Sequence, residues 1–328
     1  MSEDLHNPEL YINRELSLLE FNRRVLAQAQ DEGTPLLERL RFLCIASSVL
    51  DEFFEIRVAG LKQQEAVGAS QRGPDNLSPS EQLRHIKATT DGLVEDQYRV
   101  LNEVLIPKLD IQGIRILDAH DWNDKQKQWL KRYFKKELAP IMSPIALDPA
   151  HPFPQPLNKS LCFIVSLEGQ DAFGRQIGRA IVQAPRAFPR VVRLPDSCAT
   201  SPYEFVLLSS IIESHVSGLF PGMKATGCYP FRVTRNSDLF VDLEEVDDLL
   251  RALEGELSSR RYGDAVRLEV DVDSPDDLEA FLRAQFRLNQ DDVYRCNGPV
   301  NLMRLATIPD LVDRPELKYP GFLSLIHI

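Results

Sequence analysis

The chain has 328 residues, with 38 Lys and Arg against 49 Asp and Glu and a formal net charge of −11. Hydrophobic residues make up 43% and charged residues 27%, ordinary globular proportions that exclude global disorder. The length suggests about two domains and the start of a third, and the acidic balance argues against a nucleic-acid coat or a polybasic membrane binder while leaving room for a local basic pocket for a small polyanion.

In chain order the first third reads helical. Ser17 to Glu20 fits a capping box opening a helix with Leu18, Phe21 and Val25 on its apolar face. Gly33 ends it, and Thr34-Pro35 opens the next, whose stripe is Leu36, Leu37, Leu40, Leu43 and Cys44. Ser48 to Asp51 fits another capping box, which predicts a break at 46–48 and a fresh helix through Phe53, Phe54, Ile56 and Leu61. Residues 68–80 have loop composition, and 80–106 read as one long helix with Leu83, Ile86, Leu93, Val94 and Leu101. A short strand falls at 111–117 and a helix at 123–138, whose Lys127, Lys131 and Lys135 read as a solvated face.

Pro140, Pro144, Pro149, Pro152, Pro154 and Pro156 then mark an ordered, extended connector. Beyond it, strands are predicted at 161–167, 178–183, 190–194, 227–234 and 265–270. Residues 203–218 read as a buried helix, with further helices at 244–258 and 275–286. The class is therefore α+β: a helical amino-terminal domain over 1–118, a mixed-sheet α/β head domain over 119–304, and 305–328 as the start of another domain.

Much chemistry is missing at the motif level. The chain has no Walker-type phosphate loop, no G-x-G-x-x-G and no G-x-S-x-G. Its five cysteines are unpaired by spacing and its six histidines lack zinc-site spacing, so neither a disulfide framework nor a zinc centre is expected. No run of apolar residues reaches membrane-spanning length and no signal core is seen at the start, so the cytoplasm is the expected location.

Six ordered blocks carry a resemblance: YINRELSLLEFNRRVL (11–26), LLERLRFLCIASSVLDEFFEIRVAGLKQQ (36–64), DPAHPFPQPLNKSL (148–161), YPFRVTRNSDLFVDLEEVDDLL (229–250), GDAVRLEV (263–270) and NGPVNLMRL (297–305). Together they resemble the amino-terminal half of bacterial polyphosphate kinases of the histidine-phosphorylating type. The resemblance implies reversible transfer of the ATP γ-phosphate onto inorganic polyphosphate through a phosphohistidine, which is covalent catalysis. It implies ATP as substrate, magnesium to neutralise the transferring phosphates, a homo-oligomer formed through the head domain and peripheral membrane association, while the acidic charge argues for no nucleic-acid partner. None of the six histidines matches the phosphorylated one, so the catalytic histidine and the metal ligands are expected beyond Ile328, and this chain alone is expected to be inactive. His151 is expected to be structural. The last residues, 322–328, do not resemble the family. The alternative is a stand-alone dimerisation or regulatory module without catalysis.

The resemblance also implies a nucleotide-binding edge around residues 48–57. The family's asparagine before Leu-Asp-Glu-Phe is Val49 here, which offers no hydrogen bond. Ser48 is one residue away but turned about 100° aside. Asp51 is either part of that edge or a helix cap, and Arg57 either faces phosphate or, with Lys62, makes surface salt bridges. Arg232, Arg235, Asn236 and Asp238 read best as a turn locked by Asn and Asp side chains, with an interface as the alternative. Asn158, Lys159 and Ser160 either cap the first strand or face the active-site tunnel.

Overall fold

The computed structural model describes residues 7–68, 72–148, 151–170, 174, 177–237 and 263–321. A helical amino-terminal region precedes a sheet-containing region, as an α+β class requires. The helices are α1 (Arg14–Gln30), α2 (Leu36–Glu52), α3 (Ala59–Ala66), α4 (Pro79–Arg99), α5 (Ile106–Ile111), α6 (Asp124–Tyr133), α7 (Leu208–His215), α8 (Asp276–Gln285) and α9 (Ile308–Leu311). The strands are β1 (Ile114–Leu117), β2 (Ile145–Ala146), β3 (Cys162–Gly169), β4 (Arg179–Gln183), β5 (Val191–Arg193), β6 (Tyr203–Leu207), β7 (Met223–Arg235), β8 (Ala265–Asp271) and β9 (Val293–Cys296). The predicted helix at 244–258, the position of Asp238 and the chain end at 322–328 lie outside the described residues.

Helix α1 begins earlier than the Ser17 box predicts, because the Asn13 side chain accepts the Leu16 amide at 3.0 Å and caps the helix there. Its buried stripe is Leu19, Asn22, Leu26 and Ala29, one position round from the expected face, and Phe21 is 46% exposed. Asn22 explains the error: its amide donates to the Ala46 carbonyl of α2 at 3.0 Å, so a polar side chain occupies the helix contact.

Helix α2 has no break at 46–48. It runs to Glu52, widens into π-type turns over Phe53–Val58 and continues as α3. Ser47 is buried inside this rod rather than freed at a terminus. Thr34 is not the cap of α2 either; Pro35 stands at that position and has no side-chain bond to offer. Ser78 caps α4 through a reciprocal bond with Glu81. After α5, Gly113 takes φ +74°, a backbone state open to glycine, and turns the chain into β1.

One sheet has order β1-β6-β5, with β1 parallel to β6 and β5 antiparallel to it. The 203–218 segment is thus a strand followed by a two-turn helix, not one helix. β6 is the central strand, so its Glu204, Phe205 and Val206 are all buried. A short run covered on both faces carries no period that separates strand from helix. Glu204 is satisfied there by Gln126 at 2.8 Å and by Thr200 at 2.5 Å.

The second sheet has order β2-β4-β3-β7-β8-β9, antiparallel except for β8 and β9. Alternation along the strands separates two cores. Phe163, Val165, Ala180 and Val182 face the main core, shared with the helices of the first third. Cys162, Ile164, Phe231, Val233, Leu268 and Val270 face a smaller core closed by Leu278, Leu282 and Phe286 of α8 and its end.

Candidate functional site

The alternation that buries Phe231 and Val233 under α8 must turn Arg232 and Thr234 to the opposite face, toward α2. On β8 it does the same to Arg267 and Glu269. The β7–β8 register sets Arg232 across from Glu269 and Thr234 across from Arg267. Into this polar square the rod of α2 inserts Asp51.

Arg232 grips Asp51 with two parallel bonds, Nη1 to Oδ2 at 2.8 Å and Nη2 to Oδ1 at 2.7 Å. Its Nη2 also donates to Glu269 Oε1 at 2.8 Å, and its Nε lies 2.5 Å from Glu269 Oε2 as an ion pair outside hydrogen-bond geometry. Arg267 Nη2 pairs with Asp51 Oδ1 and lies 2.9 Å from Glu269 Oε2, while its guanidinium sits 4.6 Å from the centre of the Phe54 ring. Arg232 and Arg267 are each 1% exposed. Two cations and two anions cancel, so the group carries no net charge into the core. Burial alone would raise the Asp51 carboxyl, but Arg232 and Arg267 outweigh it and hold the carboxyl below its ordinary range. Burial likewise works against the Arg232 cation, and the carboxylates of Asp51 and Glu269 overcome it.

One turn on, Glu55 repeats the device on a smaller scale. It accepts from Asn158 Nδ2 at 2.5 Å and from Lys159 Nζ at 2.6 Å, while Asn158 Oδ1 accepts the Arg235 amide at 2.9 Å. Arg235 reaches Gly263 O and Gln155 Oε1 at 2.9 and 2.7 Å. The expected turn at 232–236 is therefore corrected: Arg232 and Arg235 are strand residues that fasten the sheet to the helix and to the proline connector. Asp51 is not a helix cap, and Glu55 is tied into the same joint by Asn158 and Lys159.

Cys44, Ser48, Asp51 and Glu55 fall within a narrow arc of the α2 rod at 100° per residue. Cys44 on that arc donates to Leu302 O at 3.3 Å, and Glu55 meets the 158–159 turn. Ser48 therefore lies on the arc that faces the 302–307 turn and the 157–160 loop, whereas Val49 is rotated away, and both are half-buried. Arg57 is half-buried in the π-type turns and takes no part in the Asp51 cluster. Lys62 is paired with Asp292 at 2.6 Å.

Beside this joint lies a cavity of about 320 Å³ lined by Lys159, Ser160, Arg186, Phe188, Arg190 and Arg304, among others. A recess of about 30 Å³ adjoins it and is bordered by Asn301. None of the residues lining either one is a carboxylate. The four cations are brought from distant parts of the sequence: Lys159 from the turn before β3, Arg186 and Arg190 from the β4–β5 loop, and Arg304 from the turn after β9. The resemblance already placed residues 297–305 in a matched block, yet Arg186 and Arg190 carried no motif that would have marked them. Among the described residues, Asp118, His120 and Asp121 place ligand atoms within 4.8 Å of one another at an exposed loop remote in sequence from these turns. No helix of the described residues is long and apolar enough to cross a membrane.

Two family models match in order. Residues 11–117 match the polyphosphate kinase N-terminal domain and residues 125–308 the polyphosphate kinase middle domain. Similar curated proteins include the polyphosphate kinases of Pseudomonas syringae pv. tomato (53% identity over 99% of this chain and 44% of the relative) and Pseudomonas aeruginosa (54% over 98% and 47%). That of Neisseria meningitidis serogroup C is 54% identical over 94% of this chain and 45% of its own length. The chain thus spans about half the length of the curated relatives it matches. In fold it is similar to the crystal structure of polyphosphate kinase from Porphyromonas gingivalis, with a TM-score of 0.75 at 25% identity, covering 96% of this chain and 43% of that one.

Proposed function

The chain belongs to the polyphosphate kinase family, and on that premise we propose that the protein works in the reversible transfer of phosphoryl groups between ATP and inorganic polyphosphate. In this reading residues 1–118 form the helical domain, 119–304 the head, and 305–328 the lead into a further domain. The α2 rod presents Ser48 and Val49 at the edge of the nucleotide site, with Arg57 on the same rod. Asp51 acts indirectly: both of its oxygens are committed to Arg232 and Arg267, so it fixes the rod on the sheet instead of touching nucleotide. The observation that carries the reading is the ordered match of both family models across residues 11–308.

His120 and His151 are exposed, and His215 lies 2.9 Å from the Ile211 carbonyl between Trp122 and Phe134. None of them lines the basic cavity. Magnesium would travel with the phosphates, but a cavity walled by cations and lacking a carboxylate does not fit a divalent cation, so no step is assigned to the metal here. Self-association through the head domain, the cytoplasm as location and peripheral membrane contact belong to the same reading.

Disrupting the encoding gene in the source cells is the test. Extracted polyphosphate, measured by enzymatic conversion to ATP, is expected to fall severalfold. An unchanged pool would refute the function.

A further inference from the structure

Helix α6 and the π-type turns that continue it over Phe134–Leu138 bury Gln126, Leu130, Phe134 and Leu138 and turn the opposite side to solvent. That outer side carries Lys125, Lys127, Lys131, Arg132, Lys135 and Lys136, all exposed, against Asp124 and Glu137. At 100° per residue Lys127, Lys131 and Lys135 form one row along the rod, and Lys125, Arg132 and Lys136 form a second beside it. Lys127–Lys131, Lys131–Lys135 and Arg132–Lys136 are like charges four residues apart, an arrangement that weakens a helix. Elsewhere in the helical region Lys62, Lys87, Arg99 and Lys108 each pair with a carboxylate, whereas among the described residues these six cations have none. The chain as a whole carries −11, so this face is a local reversal of sign.

A basic helix that docks on an anionic bilayer also inserts apolar side chains. None of the large apolar side chains between Ile111 and Ile141 is exposed. Single-stranded nucleic acid is held by free aromatic faces, but Trp129 is stacked on Tyr133 at 5.2 Å and both are half-buried. A flexible inorganic polyanion needs charge alone. The face also leads to the basic cavity, because Tyr133 meets Phe188 edge-on at 6.4 Å and Phe188 lines that cavity.

We propose that the outer face of α6 and its continuation is a docking track for inorganic polyphosphate, separate from the cavity, on which a long chain lies along the two rows of cations. The identity of the polyanion rests on the polyphosphate kinase reading; the choice of face rests on the charge pattern and on the Tyr133–Phe188 contact. Lys125 to Lys136 span about 16 Å along the axis, so the track favours long chains over short ones.

The test is titration of the 328-residue chain with end-labelled long-chain polyphosphate, followed by fluorescence anisotropy, with circular dichroism to confirm that each variant folds. The parent chain is expected to bind, more weakly as salt rises. Joint replacement Lys127→Gln, Lys131→Gln and Lys135→Gln should weaken binding at least tenfold and flatten the logarithmic salt slope by about 2–3. Lys127→Arg, Lys131→Arg and Lys135→Arg together should bind as the parent does, as should Lys87→Gln, whose ammonium is already paired with Asp91. No binding of long-chain polyphosphate, or equal binding by the triple glutamine variant, overturns the proposal. So does capture by phosphatidylglycerol vesicles at the same salt with polyphosphate inert. Gene disruption reads a different quantity. Depleted cellular polyphosphate with no binding here would sink the track and keep the function, and binding here with an unchanged cellular pool would do the opposite.

Discussion

Asp51 shows how much one residue can be asked to hold. It is a carboxylate inside the core, tolerable because two guanidinium groups and a second carboxylate surround it. Removing its charge leaves Arg232 and Arg267 with an excess of positive charge that has nowhere to go. Asp51→Asn should therefore destabilise the chain by about 3–5 kcal/mol, measured by urea unfolding at neutral pH. A change below about 0.5 kcal/mol would mean that the cluster is energetically idle. The pH dependence follows in sign. A carboxyl held lower in the folded chain than in the unfolded one adds stability above the ordinary value near 3.9, and that stability is lost as pH falls through the folded value. The gap between parent and Asp51→Asn should be constant from about pH 5 to 8 and shrink below about pH 4. From the sequence, Asp51 was visible as a member of a matched block, but its partners were not. Arg232 and Glu269 alternate with apolar residues, the pattern of a half-solvated strand, and only the contacts that Asp51 makes with Arg232 and Arg267 show that a helix covers that face.

At the scale of elements, Asn13 joins the starts of two helices. It caps α1 by accepting the Leu16 amide, and its Nδ2 donates to Asp75 at 2.6 Å and to Gln82 of α4 at 3.1 Å. Asn13→Ala is expected to cost about 1–2 kcal/mol by chemical unfolding, whereas Asn7→Ala at the exposed short turn before it should cost under about 0.5 kcal/mol. Equal effects would assign no special role to the α1–α4 link. Element existence was legible where a period ran long, as in α4 and in strands β3, β4, β7 and β8 of the larger sheet. It failed in identifiable places. A buried asparagine shifted the apparent face of α1. Ser48 and Asp51 mimicked a helix start inside a continuous rod, since a capping box and a buried polar pair use the same residue types. The β6 run lacked a period because both of its faces are covered. The short strands β2 and β9 gave no sequence signal strong enough to be placed.

For the whole molecule, the larger sheet divides the apolar side chains into two cores, and the Asp51 cluster bonds the helical region to that sheet. The turns at one end of this joint gather the cations of the basic cavity. The acidic overall charge hid that pocket, although the composition had left room for one; charges separated by more than a hundred residues form a pocket only after folding. Family membership, by contrast, was readable from ordered blocks spread along the chain. The most direct test joins the two. The chromosomal copy in the source cells would carry Arg190→Gln and Arg304→Gln, with protein abundance followed by immunoblot and polyphosphate by extraction. Severalfold depletion of polyphosphate at unchanged abundance is the expected result. Undiminished polyphosphate at unchanged abundance would contradict a phosphate-handling role for this half of the kinase family's fold.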